Sequence, residues 1–132
     1  MSELKVTESI FAVFGGIFGW FFGGFDGLMY TLLAFVIIDY FTGLTVAIIN
    51  HNVNSEVGYR GIFKKVMIFL LVGIANLIDV QVLKQGAAFR DATIFFYVAN
   101  EGISIIENSA NLGLPVPKKL IDILAQLKSE EE

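Results

Sequence analysis

The sequence predicts an all-α integral membrane protein: three to four transmembrane helices and a C-terminal cytoplasmic amphipathic helix. Three observations carry the membrane reading. Hydrophobic residues make up 55% of the 132-residue chain, and its mean hydropathy is +0.70, where soluble domains run about 45–50% apolar. Phe and Gly number 13 each, and Gly is commoner in membrane helices than in soluble ones. Charged residues are only 17% and gather at a few places. This length suits one domain spanning residues 1–132.

A bilayer-spanning helix needs about 20 mainly apolar residues, and each span must satisfy its own backbone hydrogen bonds, which makes helices the default. Four segments qualify as candidates. Residues 9–25, SIFAVFGGIFGWFFGGF, carry no charge, and Asp26 and Gly27 break the run. Residues 28–49 hold one acid, Asp39, and residues 66–83 hold another, Asp79. A polar segment, NHNVNSEVGYRGIFKK, separates these two. The fourth span is expected over 87–106. The first is short and Gly-rich, so a three-span form with that segment at the interface is the alternative. Lys and Arg in short loops set orientation. Arg60, Lys64 and Lys65 lie between spans two and three, and Lys118, Lys119 and Lys128 lie in the tail. Four spans with both termini in the cytoplasm fit this distribution.

The tail, 115–132, reads as a soluble amphipathic helix. Pro115 and Pro117 mark its start, and Leu120, Ile121, Leu124 and Leu127 recur at helical spacing. It suits either a membrane surface or a neighbouring tail. Residues 1–9, MSELKVTES, lack the basic n-region of a signal peptide, so no cleavage is expected.

Composition also excludes function classes. There is no Cys, hence no disulfide framework or thiolate site, and the single His, His51, cannot build a metal cluster. The net charge of −4, carried partly by the Glu run at 130–132, is not the basic footprint of a nucleic-acid partner. No His pair and no Gly-rich phosphate loop is present, and Ser104 has no suitable base near it in sequence. Neither enzymatic activity nor a cofactor is expected.

The candidate functional residues are polar groups at membrane depth. On the fourth span Arg90, Thr93, Tyr97, Asn100, Glu101, Ser104, Glu107, Asn108 and Asn111 step by three or four and fall on or near one face. A charge at the bilayer centre costs roughly 2.5–3.5 kcal/mol even on the mild insertion scale, so this stripe must face protein or water. Asp39, Thr42, Gly43 and Ala47 form a small-polar edge on span two, and Gly73, Asn76 and Asp79 do the same on span three. Asp39 and Asp79 read either as functional acids or as partners of Arg60, Lys64, Lys84 or Arg90. Glu101 reads either as pore lining or as part of a buried network with Asn76 or Asn100. Gly15, Gly19 and Gly23 make two overlapping GxxxG steps, which let helix backbones approach closely. The bland alternative is a weakly held segment whose Phe11, Phe14, Phe18, Phe21 and Phe22 face lipid.

Two long blocks, VIIDYFTGLTVAIINHNVNSEVGYRGIFKKVMIFLLVGIANLID and FRDATIFFYVANEGISIIENSANLGLPVPKKL, together with the close LPVPKKLIDILAQL, resemble the holins of phage lysis and toxin secretion. That group includes clostridial toxin-release holins, and the resemblance covers roughly residues 35–128. It implies a homo-oligomer in the bacterial cytoplasmic membrane that assembles at a set time into lesions. These lesions would pass an endolysin or an exported toxin and so cause host cell lysis. No catalytic residues transfer with it. Two readings from other classes remain: a small ion channel or transporter using Asp39, Glu101 and Arg90, and an antiholin-like regulator that never opens. Without the resemblance, a generic four-span channel ranks first.

Overall fold

A computed structural model describes residues 2–131, and every element among them is helical. The first helix, α1, runs Glu3–Phe22 and so begins earlier than the expected 9–25. Ser2 caps it by accepting from the Lys5 N–H. It ends where Gly23 and Gly24 adopt left-handed backbone (φ 80° and 100°), a conformation that costs glycine nothing. Helix α2, Gly27–Ile49, begins at Asp26, whose carboxylate accepts from the Met29 N–H at 3.0 Å.

Helix α3 spans Ser55–Leu77 and continues as a π-helical stretch, Ile78–Leu83. Together they make one rod of 29 residues. Asn54 caps its start through the Val57 N–H at 2.8 Å. The GYRGIFKK segment expected as a polar connection is therefore helical and places Lys65 well inside the rod. Helix α4 covers Ala88–Asn111, close to the expected 87–106 but longer at its C-terminus. Helix α5 covers Lys118–Glu131; the expected boundary at Glu132 lies outside the described residues.

Helix α4 packs most extensively on α2, then on α5 and α3, whereas α1 leans mainly on α3. The core is Met29, Leu32 and Val36 of α2, Ile68 and Val72 of α3, and Ile94 and Val98 of α4. A side chain at Gly73 would overlap the Phe21 ring, so this glycine seats α1 against α3. Phe11, Phe14 and Phe18 are exposed, but Phe21 and Phe22 turn inward, Phe22 packing on Phe69 at 5.9 Å.

Three helices are long and apolar enough to cross a membrane: α1, α2 and the Ser55–Leu83 rod. Helix α4 is long enough at 24 residues but is not among them, because its polar stripe lowers its hydropathy. The composition in doubt is thus that of α4 rather than that of the Gly-rich first segment. The C-terminal helix also departs from expectation. It folds back on α4, with Leu124 buried over Gly102, rather than standing away as a solvated tail. Gly102 is what admits it: a Cβ there would lie 2.9 Å from both Leu124 methyls.

Candidate functional site

Two polar clusters lie inside this bundle. The first joins α2, α3 and α4. Lys65 Nζ forms ion pairs with Asp39 Oδ2 and, at 2.7 Å, with Glu101 Oε2. Asn108 donates to Asp39 Oδ1 at 3.0 Å and to Thr42 Oγ1 at 2.9 Å. Thr42 in turn donates to the Asp39 carbonyl at 3.1 Å. Among the described residues no buried side-chain N or O lacks a partner. Complete pairing is what makes such a network tolerable in a low-dielectric interior, where an orphaned polar group is costly. One ammonium faces two carboxylates, so the formal charge of the cluster is −1.

The second cluster ties the end of α1 to α3 and α4. Arg90 is 3% exposed on its side chain and grips Asp26 with both terminal nitrogens, at 2.9 and 3.0 Å. It also bonds Asp91 at 3.0 Å, the Phe22 carbonyl at 2.6 Å and the Gly24 carbonyl at 3.2 Å. Asn76 donates to the Trp20 and Phe21 carbonyls. The last turn of a helix leaves carbonyls without intrahelical partners, and here Asn76 and Arg90 satisfy them from neighbouring helices. The bidentate hydrogen bonds of Arg90 hold the Asp26 carboxyl, which lies in the turn outside the spans, below its ordinary 3.8.

Asp79 plays another part. It is fully buried in the π-helical stretch and accepts from the N–H groups of Phe89 (3.1 Å) and Arg90 (2.8 Å). Ala87 offers no side-chain cap, so Asp79 caps α4 from the preceding helix, a carboxylate at the positive end of the helix dipole.

The expected stripe on α4 therefore divides. Arg90, Glu101 and Asn108 turn into the bundle, Tyr97 packs at the edge of the core, and Asn100 and Ser104 are half-buried. Glu107 and Asn111 are exposed, and Thr93 bonds back to the Phe89 carbonyl. Asp39 pairs with Lys65 rather than with Arg60, Lys64, Lys84 or Arg90, and Asp79 binds backbone rather than a cation. Glu101 meets Lys65, not Asn76, which serves α1. Of the glycines, Gly43 faces Asn108 and Gly73 faces Phe21, while Gly15 has open space around it. Gly19 touches only the Phe25 ring, and Gly23 is the αL cap under Asn76 and Arg90.

Sequence reasoning missed Lys65 and Asp26 as site residues. A signal for Lys65 existed: Lys65, Ile68, Val72, Asn76 and Asp79 recur at steps of three and four and share one helix face. Among the described residues no group of His, Cys, Asp or Glu could hold a metal ion.

An all-α bundle with helices apolar enough to cross a membrane and buried charges paired inside defines a class of small multi-helix membrane proteins. The chain belongs to the bacteriophage holin family, whose sequence profile matches residues 16–129. It is 43% identical over 124 residues to an uncharacterized protein of Halalkalibacterium halodurans, covering 91% of this chain and 92% of that one. It is 41% identical to an uncharacterized 14.9 kDa protein encoded in the nagH 3′ region of Clostridium perfringens, covering 89% of each. A Listeria monocytogenes protein, also uncharacterized, is 43% identical, with 90% and 86% covered. No solved structure matches the fold.

Proposed function

We propose that this chain acts as a holin: it accumulates in the bacterial cytoplasmic membrane, with both termini in the cytoplasm, and then assembles into lesions. The lesions release an endolysin, or in a toxin locus an exported toxin. The observation that carries the reading is the Asp39–Lys65–Glu101 cluster. In a single chain Lys65 pairs with the carboxylates of both α2 and α4 and holds them away from lipid, so the protein can build up without leak. Helix α4 crosses the membrane inside the bundle even though its composition alone would not carry it.

Assembly that separates α4 from α3 exposes Glu101, Asn108 and their neighbours. Water, not lipid, is the environment that stabilises them once unpaired. The two packings of the same helices give the bistability a timed switch needs. Fold and family support the membrane location, and the paired stripe is what a closed state would require.

The test is inducible expression in a bacterium that carries a cytoplasmic endolysin and a folded fluorescent protein, following culture density and protein in the medium. An abrupt delayed collapse with folded protein released is the expected result. Slow depolarisation without protein release would assign a small channel instead. No effect when expressed alone, with delayed lysis when a holin is co-expressed, would assign a regulator.

A further inference from the structure

The three helices that build the Lys65 cluster change character at the same level. Helices α2 and α4 start at the same end of the bundle, since Arg90 holds Asp26 there. Along α2 the inward residues run Met29, Leu32, Val36 and then Asp39. Along α4 they run Ile94, Val98 and then Glu101. Helix α3, which runs the other way, presents Val72, Ile68 and then Lys65. One side of the cluster is therefore a sequence of closed apolar layers drawn from all three helices.

The other side is open. A cleft of about 260 Å³ runs between α2 and α3 from Val53 and Asn54 in the connecting loop down to Asp39 and Lys65. Small residues keep it clear: Gly43 and Ala47 on α2, Gly58 and Gly61 on α3. Ser104 and Asn108 of α4 complete its floor. A water occupies about 30 Å³ and needs two to four polar partners. The cleft offers the room, and its floor offers the partners. On the apolar side a cleft of about 230 Å³ also reaches Lys65 and Val36, but its walls are mainly apolar side chains such as Ile37, Phe41, Ile62 and Phe69 and offer water few partners.

We infer that the single, unassembled chain contains a one-sided aqueous half-channel. Water and small hydrated ions enter from the side on which the α2–α3 loop lies, reach the Asp39–Lys65 floor, and are stopped by the Val36–Ile68–Val98 layer. The charged groups lining the floor are Asp39 from α2 and Lys65 from α3, and Glu101 of α4 sits behind them on Lys65. Helix α5 brings the apolar Leu124 to the adjoining Gly102, and the phenol of Tyr40 lies in the cleft wall. The half-channel belongs to one chain and stands whether or not copies assemble into lesions.

The absence of Cys from the chain makes the test direct. Single substitutions Asn52→Cys, Ala47→Cys, Ser104→Cys, Val36→Cys and Val98→Cys are made in the full-length protein, and each is checked for carbonate-resistant membrane insertion. Right-side-out and inverted membrane vesicles are then treated with membrane-impermeant methanethiosulfonate reagents, one cationic and one anionic. Asn52→Cys in the loop marks the accessible side. Ala47→Cys and the near-isosteric Ser104→Cys are expected to react from that side only, with either reagent. Val36→Cys and Val98→Cys are expected to lose labelling from both sides. Labelling of the Val positions alongside Ser104→Cys would overturn the inference. So would absence of labelling at Ala47→Cys and Ser104→Cys in inserted protein, or their labelling from the side opposite Asn52→Cys.

Discussion

Lys65 and Glu101, 36 positions apart in sequence, meet at 2.7 Å between α3 and α4. The contact exists only because α3 starts at Ser55 and carries Lys65 inward, and because α4 turns its polar edge towards α2 and α3. It is an ion pair that joins α3 to α4 within the bundle. Removing the lysine leaves two buried carboxylates facing one another, whereas neutralising Glu101 leaves the Lys65–Asp39 pair intact.

Lys65→Met is therefore expected to be the most damaging change in the cluster. Breaking a buried ion pair by deleting one partner costs about 3–5 kcal/mol, and thermal unfolding in detergent should show a large drop in midpoint. Glu101→Gln keeps a hydrogen-bonding group and should cost far less, with Glu101→Leu between the two. In the lysis assay both Glu101 variants should insert normally yet shift the time of collapse or abolish it. Unchanged timing in both would remove Glu101 from the switch.

The Arg90–Asp26 grip predicts a pH dependence. A carboxyl held below its ordinary 3.8 by the guanidinium contributes stability above that value and loses it only as pH falls through the lower, folded one. Attachment of the α1 end should thus be flat from about pH 8 to about pH 5 and weaken only in stronger acid. Trp20, the single tryptophan, sits where its carbonyl is held by Asn76 and serves as the reporter. Its emission should stay constant over the flat range in the wild type. Asp26→Asn should remove the acid-range change, with the Asn76 bonds to the Trp20 and Phe21 carbonyls still in place.

Gly102→Val should release the C-terminal helix. The added Cβ would press on Leu124 and, at 3.2 Å, on Phe35, and overpacking of this kind costs about 1–3 kcal/mol. Cleavage by trypsin after Lys118 and Lys119 should accelerate on the order of tenfold, since about 1.4 kcal/mol is a factor of ten. An unchanged cleavage rate would mean that α5 is not held by this contact.

Asp79→Ala removes the side-chain cap that α4 has among the described residues and should lower stability by about 1–2 kcal/mol, as loss of a helix cap does. Amide exchange at Phe89 and Arg90, whose N–H groups it accepts, should rise while exchange in the middle of α2 stays the same.

Much of the architecture could be read from local pattern. Helix α2 was expected over 28–49 and runs Gly27–Ile49, because a long apolar run between an Asp cap and a polar turn admits little else. The α4 stripe was visible as a period of three and four. What local pattern hid was partnership. Lys65 ends a run of charges, so it reads as an interface anchor; only the Asn54 cap, which starts α3 early, moves it inside. Asp26 reads as a helix breaker until Arg90, 64 positions away, is seen to hold it. The α1 glycines show the limit from the other direction. Spacing offers Gly15, Gly19 and Gly23 as one packing surface, yet the chain itself uses Gly23 as a cap and leaves Gly15 uncovered.

Helix α1 is fastened at one end only. Asn76 and Arg90 hold its last turn, its backbone reverses at Gly23 and Gly24, and none of its residues is buried. Twenty residues at 1.5 Å each make an arm about 30 Å long. Mechanically this is a lever with its fulcrum at the glycine pair. A swing of about 10° there carries the free tip through about 5 Å, roughly the pitch of one helical turn. Disturbances too small to unseat Asp26 from Arg90 are thus amplified at Glu3, Lys5 and Glu8, far from the groups that hold the helix in place.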